Sequence, residues 1–286
     1  MTYCVGLRLK DGLVLITDSR TNAGIDNIAS YRKLHVFEQP GERLIAVATS
    51  GNLSISQSVI SMLTDGLAHP ETGDVETLMN VPSMFRAAQL VGRAVRDTFA
   101  VDGKALEQHH AGFDVALLVA GQIKGGRMRL FMVYAAGNFI EATEDTPFLQ
   151  IGEHKYGKPI LDRAVSYQSD LYDGLKIGLI SMDSTMRSNL AVGLPLDVLV
   201  LKRDEMKAEL SYRVTDQDAY FADLRQRWVL SACRLVTLSH GGYTRMARFP
   251  PRPLIETMSC AQRTDFGNTN WPKPSPLRVL TIMKST

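Results

Sequence analysis

The sequence predicts an α+β fold, a four-layer αββα sandwich in which two antiparallel sheets pack face to face between pairs of helices. Strand patterns and helix patterns come in blocks: strands, two helices, strands, two helices and strands. The strict alternation of single strands and helices that a doubly wound parallel sheet requires is absent from the sequence. The 286 residues are 45% hydrophobic, which is enough for a large core.

The first block of strands contains two hairpins, which predict one four-stranded antiparallel unit. Asp11-Gly12 is a strong turn signal in the first hairpin, and a QPGE turn closes the second. A polar loop over 21–31 joins the two hairpins. The predicted strands cover residues 3–9, 13–19, 33–38 and 43–51.

The remaining elements follow from capping residues and from the period of the apolar positions. Asn52 is expected to cap a helix over 52–67, and a proline in the first turn starts a second helix over 81–100. Another helix is expected to begin at Asp216. Further strands are expected over 113–123, 127–137, 138–143, 148–152, 196–204 and 209–214, and further helices over 156–165 and 171–189.

The chain contains two regions of different composition. Residues 1–228 carry the alternating blocks and predict one folded domain with a net charge of −4. Residues 229–286 show no sustained period, contain Pro-Pro and Gly-Gly breakers and have a net charge of +6, so they predict an irregular basic C-terminal tail. Just before this boundary, Arg225 and Arg227 are expected on a solvated helix face.

Composition argues against several functional classes. A net charge of +2 gives no reason to expect a nucleic-acid partner. The sequence contains no run of about 18 apolar residues, so we expect no membrane span. The N-terminal segment also lacks the pattern of a signal peptide. Three scattered cysteines favour neither a disulfide framework nor a zinc site and fit a reducing cytoplasm. The histidines His109, His110 and His154 lack ligand spacing, so we expect no metal and no cofactor.

Thr2 directly follows the initiator methionine and precedes the first predicted strand. Methionine aminopeptidases remove Met1 when the second side chain is small, so we expect Thr2 to become the N-terminal residue. Its hydroxyl is then a nucleophile. Its α-amine, with an ordinary pKa of about 7.7–8.0, can take the hydroxyl proton directly or through one water. This combination predicts catalysis by an N-terminal nucleophile.

Three further residues supply what such a site needs. Lys33 starts the third predicted strand and provides a positive charge beside the nucleophile, and Asp18 at the end of the second strand holds Lys33 in place. Gly51 ends the fourth strand before a helix, where its N–H can stabilise an oxyanion. Each residue alone has an ordinary explanation, as a turn residue or a solvated strand edge, but together they favour catalysis.

These residues and the stretches around them resemble a known family. The order Thr2, TDSR, Lys33 and SGN is similar to that of proteasome β subunits and of the bacterial HslV protease. The bacterial proteasome-like family called Anbu, the ancestral β subunit, is more similar over residues 2–228. The stretches that carry this resemblance are TYCVGLRLKDGL, DSRTNAGIDNI, YRKLHVFE, IGEHKYGKPILDR and SMDSTMRSN.

The resemblance implies a sandwich of the N-terminal-nucleophile (Ntn) hydrolase type and a threonine-type peptidase. It implies that Thr2 is both nucleophile and base, that Asp18 and Lys33 are its charge pair, and that Gly51 is the oxyanion donor. The active form would be a ring-like or open-helical homo-oligomer that acts on peptides or unfolded proteins.

The supporting residues depart from the proteasome pattern. Proteasome-type sites have a serine in a Gly-Ser-Gly turn, where this chain has Ile151-Gly152-Glu153. They also have an Asp-x-x-Ser-Gly motif after the last long helix, where the nearest stretch here is 188–193. The candidate supporting residues are Ser19, Ser50, Glu153, Ser188 and Asn189.

Two other functions stay open at this point. The carboxylate of Glu153 in place of a serine is compatible with a self-assembling scaffold that has little or no peptidase activity. The same nucleophile is compatible with an Ntn amidohydrolase of a small non-protein amide. Labelling of Thr2 by an epoxyketone would separate a hydrolase from a scaffold, and a substrate panel would separate peptides from small amides.

Overall fold

A computed structural model of the chain describes residues 2–22, 28–109 and 112–240. The chain divides into two compact units, 1–236 and 237–286, and all elements except the end of the last helix belong to the first. The strands are β1 (Tyr3–Leu9), β2 (Gly12–Asp18), β3 (Arg20–Asn22), β4 (Ile28–Ser30), β5 (Leu34–Gln39), β6 (Arg43–Gly51), β7 (Leu67–Ala68), β8 (Val75–Glu76), β9 (Val115–Ile123), β10 (Arg129–Val133), β11 (Phe139–Glu141), β12 (Phe148–Gly152), β13 (Leu196–Lys202) and β14 (Ala208–Val214). The helices are α1 (Leu53–Asp65), α2 (Met84–Gln108), α3 (Lys158–Ala164), α4 (Leu171–Ser188) and α5 (Ala219–His240).

Two five-stranded antiparallel sheets form the centre of the first unit. The strand order is β12-β1-β2-β13-β14 in the first sheet and β11-β10-β9-β6-β5 in the second. Leu15 and Leu199 of the first sheet share one buried cluster with Leu44 and Leu118 of the second. The two sheets therefore pack face to face, as the sequence predicts.

Helices cover the outer faces of both sheets. Val59 of α1 and Val91 of α2 join Ile45 and Val119 of the second sheet in another buried cluster. On the other side, α3 contacts α4, and α4 lies on β1 and β2 of the first sheet. The order of layers is helices, sheet, sheet and helices, which confirms the predicted sandwich.

Capping residues explain where the helices of the second sheet begin. The Asn52 side chain accepts a hydrogen bond from the Ser54 N–H, so α1 begins where the sequence predicts. The helix α2 begins later than expected, because Ser83 caps it by accepting from the Arg86 N–H, so Pro82 precedes the helix instead of lying in its first turn. It also continues beyond the predicted end at Ala100.

The two N-terminal hairpins do not form one four-stranded unit, so that expectation was wrong. The strand β1 pairs with β2 in the first sheet, whereas β5 pairs with β6 in the second. Strands from distant parts of the chain flank them: β12 and β13 in the first sheet, and β9 beside β6. Every residue of β2 and all but the last of β6 are buried. The burial of β2 and β6 is achieved because each hairpin lies inside its own sheet, with further strands beside it.

The polar segment over 21–31 is not wholly a loop. The strand β3 pairs with β4 in a short antiparallel ladder, with Arg20 opposite Ser30. Residues 23–27 lie outside the described residues. This ladder begins two residues after Asp18 and so limits where the main chain can go beyond the end of β2.

The last helix continues past the predicted domain boundary. Because α5 ends at His240, the predicted tail is helical over 229–240, and Gly241-Gly242 is the first helix-breaking pair after Trp228. Residues 241–286 lie outside the described residues. The division of the chain at 228 stays a prediction.

One of the two arginines expected on a solvated face of α5 has a buried partner. Arg225 is only partly solvated: its side chain is 36% exposed, and its Nε donates to Asp183, whose side chain is 2% exposed. A buried carboxylate is costly without a cation, which explains the contact. Arg227 instead pairs with Asp223 on its own helix, and both of these side chains are exposed.

Two further observations apply to residues 2–22, 28–109 and 112–240 alone. No helix in these ranges combines the length and the apolar character needed to cross a bilayer. No group of three or more His, Cys, Asp or Glu side chains there could hold a metal ion. His154 Nδ1 lies 3.2 Å from the Gly152 carbonyl oxygen, and His110 lies outside the described residues. The cytoplasmic location stays a prediction.

Candidate active site

A buried ion pair between Asp18 and Lys33 lies at the centre of the candidate site. Lys33 Nζ lies 2.8 Å from Asp18 Oδ1, and the two side chains are 5% and 0% exposed. Asp18 ends β2 of the first sheet. Lys33 directly precedes β5 of the second sheet, where its carbonyl accepts from the Thr49 N–H. The pair therefore bridges the two sheets.

Several donors fix the orientation of the Asp18 carboxylate. The Tyr3 N–H donates to Oδ1 at 3.1 Å, and the Arg20 N–H donates to Oδ2 at 3.2 Å. Burial raises the pKa of the Asp18 carboxyl above its ordinary value, and Lys33 and backbone N–H groups oppose that rise.

Thr2 lies beside this ion pair, at the start of β1, and is 6% exposed. The next residue, Tyr3, donates its N–H to Asp18 and so ties the segment that carries Thr2 to the pair. On the other side, the Thr2 carbonyl accepts a hydrogen bond from the Glu153 N–H at 2.7 Å. Thr2 is therefore held between the end of β2 and the turn after β12.

Gly152, the last residue of β12, packs directly against Thr2. Its φ is +82°, and an added Cβ would lie 1.9 Å from the Thr2 carbonyl oxygen, where no side chain fits. The same Cβ would lie 3.2 Å from Ser50 Oγ. Thr2, Gly152 and Ser50 therefore meet, which brings the end of β6 to the candidate nucleophile.

Gly51 follows Ser50 at this end of β6. It is exposed, unlike the buried residues before it, and its φ is +101°. An added Cβ would lie 2.2 Å from the Asp114 carbonyl oxygen. The helix α1 begins immediately beyond Asn52. Gly51 thus combines open access with a nearby helix N-terminus, which favours negative charge.

Solved structures resemble this chain over its sandwich. It is similar to Anbu (ancestral β subunit) from Yersinia bercovieri, with 46% sequence identity, a TM-score of 0.72, and coverage of 89% of this chain and 100% of that chain. The chain belongs to the Anbu family. The αββα layers are accordingly those of an Ntn-hydrolase sandwich.

Two other Anbu structures are comparably similar. The Anbu (Gly-1) mutant from Hyphomicrobium sp. strain MC1 is 44% identical, with a TM-score of 0.76, and the match covers 84% of this chain and 100% of that chain. The helical assembly of the Anbu complex from Pseudomonas aeruginosa is 47% identical, with a TM-score of 0.73 and coverage of 88% and 98%. No family model and no curated protein matched the chain.

Glu153 and Asn189, both predicted as supporting residues of this Anbu site, contact each other. Asn189 Nδ2 donates to Glu153 Oε2 at 3.1 Å, and Lys155 Nζ lies 3.7 Å from the same oxygen. The Glu153 side chain is 12% exposed, and its backbone N–H binds Thr2. Glu153 is therefore a fixed neighbour of Thr2.

The predicted serines occupy different surroundings in the Anbu sandwich. Ser50 is buried beside Gly152. Ser19 is also buried, and its hydroxyl donates to the Pro195 carbonyl at 2.7 Å. Ser188 is exposed at the end of α4. Ser50 is thus near Thr2, Ser19 is directed to the segment before β13, and Ser188 is on the surface.

Sequence reasoning missed the main-chain groups that surround the ion pair. Arg20 contacts both members, because its N–H donates to Asp18 and its carbonyl accepts from Lys33 Nζ at 2.6 Å. The TDSR stretch indicated that Arg20 is near Asp18, but main-chain contacts leave no signature in residue type.

Tyr3 was predicted only as the first residue of a strand, yet its hydroxyl has two polar partners. It lies 2.7 Å from Ser181 Oγ on α4 and also accepts from Gln150 on β12. Burial raises the pKa of Tyr3 to about 12, although both hydrogen bonds lower it. These contacts join three elements directly behind Thr2. A tyrosine rather than a phenylalanine at this position was the available signal.

Replacing Gly152 with alanine is expected to displace Thr2 and to slow its labelling by an epoxyketone more than about tenfold, because the new Cβ overlaps the Thr2 carbonyl oxygen. The matched control is Gly41→Ala. Gly41 has a φ of +78° but open space around it, so only the backbone penalty of about 1–2 kcal/mol applies. Labelling rates and thermal unfolding check both variants. Equal slowing in both would show that Gly152 does not position Thr2.

Proposed function

We propose that this member of the Anbu family is a threonine-type peptidase that hydrolyses amide bonds in peptides or unfolded proteins. The observation that carries the proposal is the buried ion pair of Asp18 and Lys33, tied through the Tyr3 N–H to the segment that carries Thr2. Buried charges are costly in a fold, and they concentrate at catalytic sites. A lysine placed beside a hydroxyl nucleophile is the arrangement that threonine chemistry needs.

The first half of the reaction begins after removal of Met1. The freed α-amine of Thr2 takes the proton from Thr2 Oγ as this oxygen attacks the substrate carbonyl carbon. The positive charge of Lys33 stabilises the charge that develops on Oγ, and Asp18 holds Lys33 in position. The Gly51 N–H donates to the oxyanion, a type of contact whose loss typically raises the barrier by about 2.7–4 kcal/mol.

The second half releases the two products. The protonated α-amine gives its proton to the leaving nitrogen as the C–N bond breaks, which leaves an ester on Thr2 Oγ. The same amine then takes a proton from a water molecule that attacks the ester carbonyl. Cleavage of the ester bond releases the carboxylic acid and returns the proton to Oγ. No histidine is needed, because one residue provides nucleophile and base.

We assign Glu153 and Asn189 a positioning role in this mechanism. The Glu153 N–H holds the Thr2 carbonyl, and Asn189 holds the Glu153 carboxylate. The nucleophile thus has a support that does not depend on the serine of proteasome-type sites. Ser50, adjacent to Gly51 and Gly152, contributes a polar wall to the same region.

We also propose that the active form is a homo-oligomer. The relative from Pseudomonas aeruginosa, 47% identical, forms a helical assembly of the Anbu complex. A ring-like or open-helical assembly of this chain would limit access to short peptides or unfolded segments. Light scattering on the purified chain tests this, and a monomer at all concentrations would contradict it.

Intact mass spectrometry with and without an epoxyketone tests the chemistry. The untreated sample reports whether Met1 has been removed, and one adduct per chain on Thr2 is the expected result after treatment. A processed chain that stays unlabelled would favour the scaffold function. Labelling without turnover of any peptide in a substrate panel would favour a small amide as the substrate.

A peptide extension fused before Thr2 is expected to abolish labelling, because it turns the α-amine into an amide that cannot act as a base. The control carries the same extension at the C-terminus and should react at the unmodified rate. The readout is the fraction of chain labelled over time. Full reactivity of the N-terminal fusion, with the extension still present by mass, would exclude the α-amine as the base.

A further inference from the structure

A small pocket lined by three arginines lies next to the segment that holds Asp18. Its volume is about 160 Å³, and the arginines are Arg20, Arg187 and Arg225. Apolar groups of α4 and of the segment 192–194 complete its wall. Gly193 and Arg20 belong to this wall, and the main-chain N–H of Arg20 donates to Asp18, so the pocket adjoins the candidate active site without being part of it.

Positive charges in this arginine pocket exceed negative ones. Arg187 Nε donates to Asp183 Oδ2 at 3.1 Å, and Arg225 Nε donates to Oδ1 of the same buried carboxylate. Arg20 donates to a neutral acceptor, the Leu190 carbonyl, at 2.9 Å. Among the described residues that line the pocket none is acidic. Two of the three guanidinium groups share one carboxylate and the third has only a neutral acceptor, so three positive charges stand against one negative charge and two are uncompensated.

The contacts with Asp183 hold the guanidinium groups in place and leave donors for a ligand. Each guanidinium carries five N–H donors in a planar fork that matches the oxygens of phosphate and carboxylate groups. In the described part of the chain, Arg187 and Arg225 each bond to Asp183 through Nε. Their terminal nitrogens can therefore bind an oxyanion in the pocket.

We propose that the arginine pocket binds a single small oxyanion and that inorganic phosphate is its best match. The two uncompensated positive charges equal the charge of a phosphate dianion and exceed that of a carboxylate. The pocket is smaller than the sites of drug-sized ligands, which measure about 300–1,000 Å³, and suits one such group. This site is distinct from the proposed peptidase chemistry and does not depend on it.

Isothermal titration calorimetry of the full chain with inorganic phosphate tests this, at neutral pH and constant ionic strength in chloride. Saturable binding of one phosphate per chain is expected, with weaker binding of acetate. Absence of saturable binding would overturn the proposal. Acetate binding as tight as phosphate binding would overturn the choice of phosphate and identify a carboxylate group as the ligand.

Two variants locate the site. Arg187→Gln removes one guanidinium and is expected to weaken phosphate binding about tenfold or more, the effect of one charge-assisted hydrogen bond. Met186→Glu places a carboxylate in the pocket wall, leaves both contacts of Asp183 intact and should abolish binding. The control is Arg227→Gln, which also breaks an Arg–Asp pair between residues four apart on a helix but lies outside the pocket, although its aspartate is exposed whereas Asp183 is buried. Equal weakening in the control, or unchanged binding in both pocket variants, would refute this location.

Discussion

Replacing Lys33 with methionine is expected to abolish labelling of Thr2 and to lower the free energy of unfolding by about 3–5 kcal/mol, because it leaves the buried Asp18 carboxylate without its cation. The loss of stability should be smaller at mildly acidic pH. Burial already raises the pKa of Asp18, so the folded state binds a proton more tightly than the unfolded state and stability rises as pH falls. Denaturant unfolding at neutral and mildly acidic pH measures both effects.

The control for this variant is Lys158→Met. Lys158 and Asp162 also form a close Lys–Asp pair, but on the exposed surface of α3, where such a pair contributes about 0–1 kcal/mol. A second variant, Asp18→Asn with Lys33→Met, removes both charges and keeps an acceptor oxygen for the N–H groups around position 18. It should regain part of the stability and none of the labelling. Labelling at the wild-type rate in either Lys33 variant would remove the ion pair from the mechanism.

Replacing Thr2 with alanine is expected to eliminate the epoxyketone adduct and to lower peptide turnover by about 10³-fold or more. The variant lacks Oγ, the atom that attacks the amide in the first step and leaves the ester in the second. Assembly should be unchanged, since the contacts that hold this residue use its carbonyl and the N–H of the next residue. Mass spectrometry, peptide turnover and light scattering on one preparation check the three expectations.

Thr64→Ala is the matched control for the Thr2 variant. It removes the same hydroxyl and methyl group from an exposed position on α1, so labelling and turnover should stay at wild-type rates. If the Thr2 variant kept full turnover, Thr2 would not be the nucleophile. If it lost turnover only because it no longer assembled, light scattering would reveal this.

Local signals in the sequence were sufficient for most elements of the sandwich. The first hairpin and the cap at Asn52 are confirmed, but the turn lies one residue earlier than predicted, at Lys10-Asp11, because Gly12 already pairs with Leu9. Both act within a few residues, so their residue types carry the information. The end of α5 was predicted too early, near Trp228, because the apolar residues beyond it show only a weak helical period. The helix in fact continues to His240.

The pairing of distant strands was beyond the reach of those signals. The turn residues of the two hairpins do not predict that β2 pairs with β13 or that β6 pairs with β9. The apolar residues of β2 and β6 show only that both faces of each strand must be buried. Which partners supply that burial depends on the packing of the whole chain, and it placed the two hairpins in separate sheets.

The sequence by itself determined the family and selected Thr2, Asp18, Lys33 and Gly51 as candidate site residues, because their residue types in this order resemble those of the family. The tertiary structure decided how they meet. It joined Asp18 to Lys33 across two sheets and surrounded the pair with main-chain donors, which every residue except proline can supply. Contacts made by the backbone depend on geometry alone, so only the folded chain could reveal them.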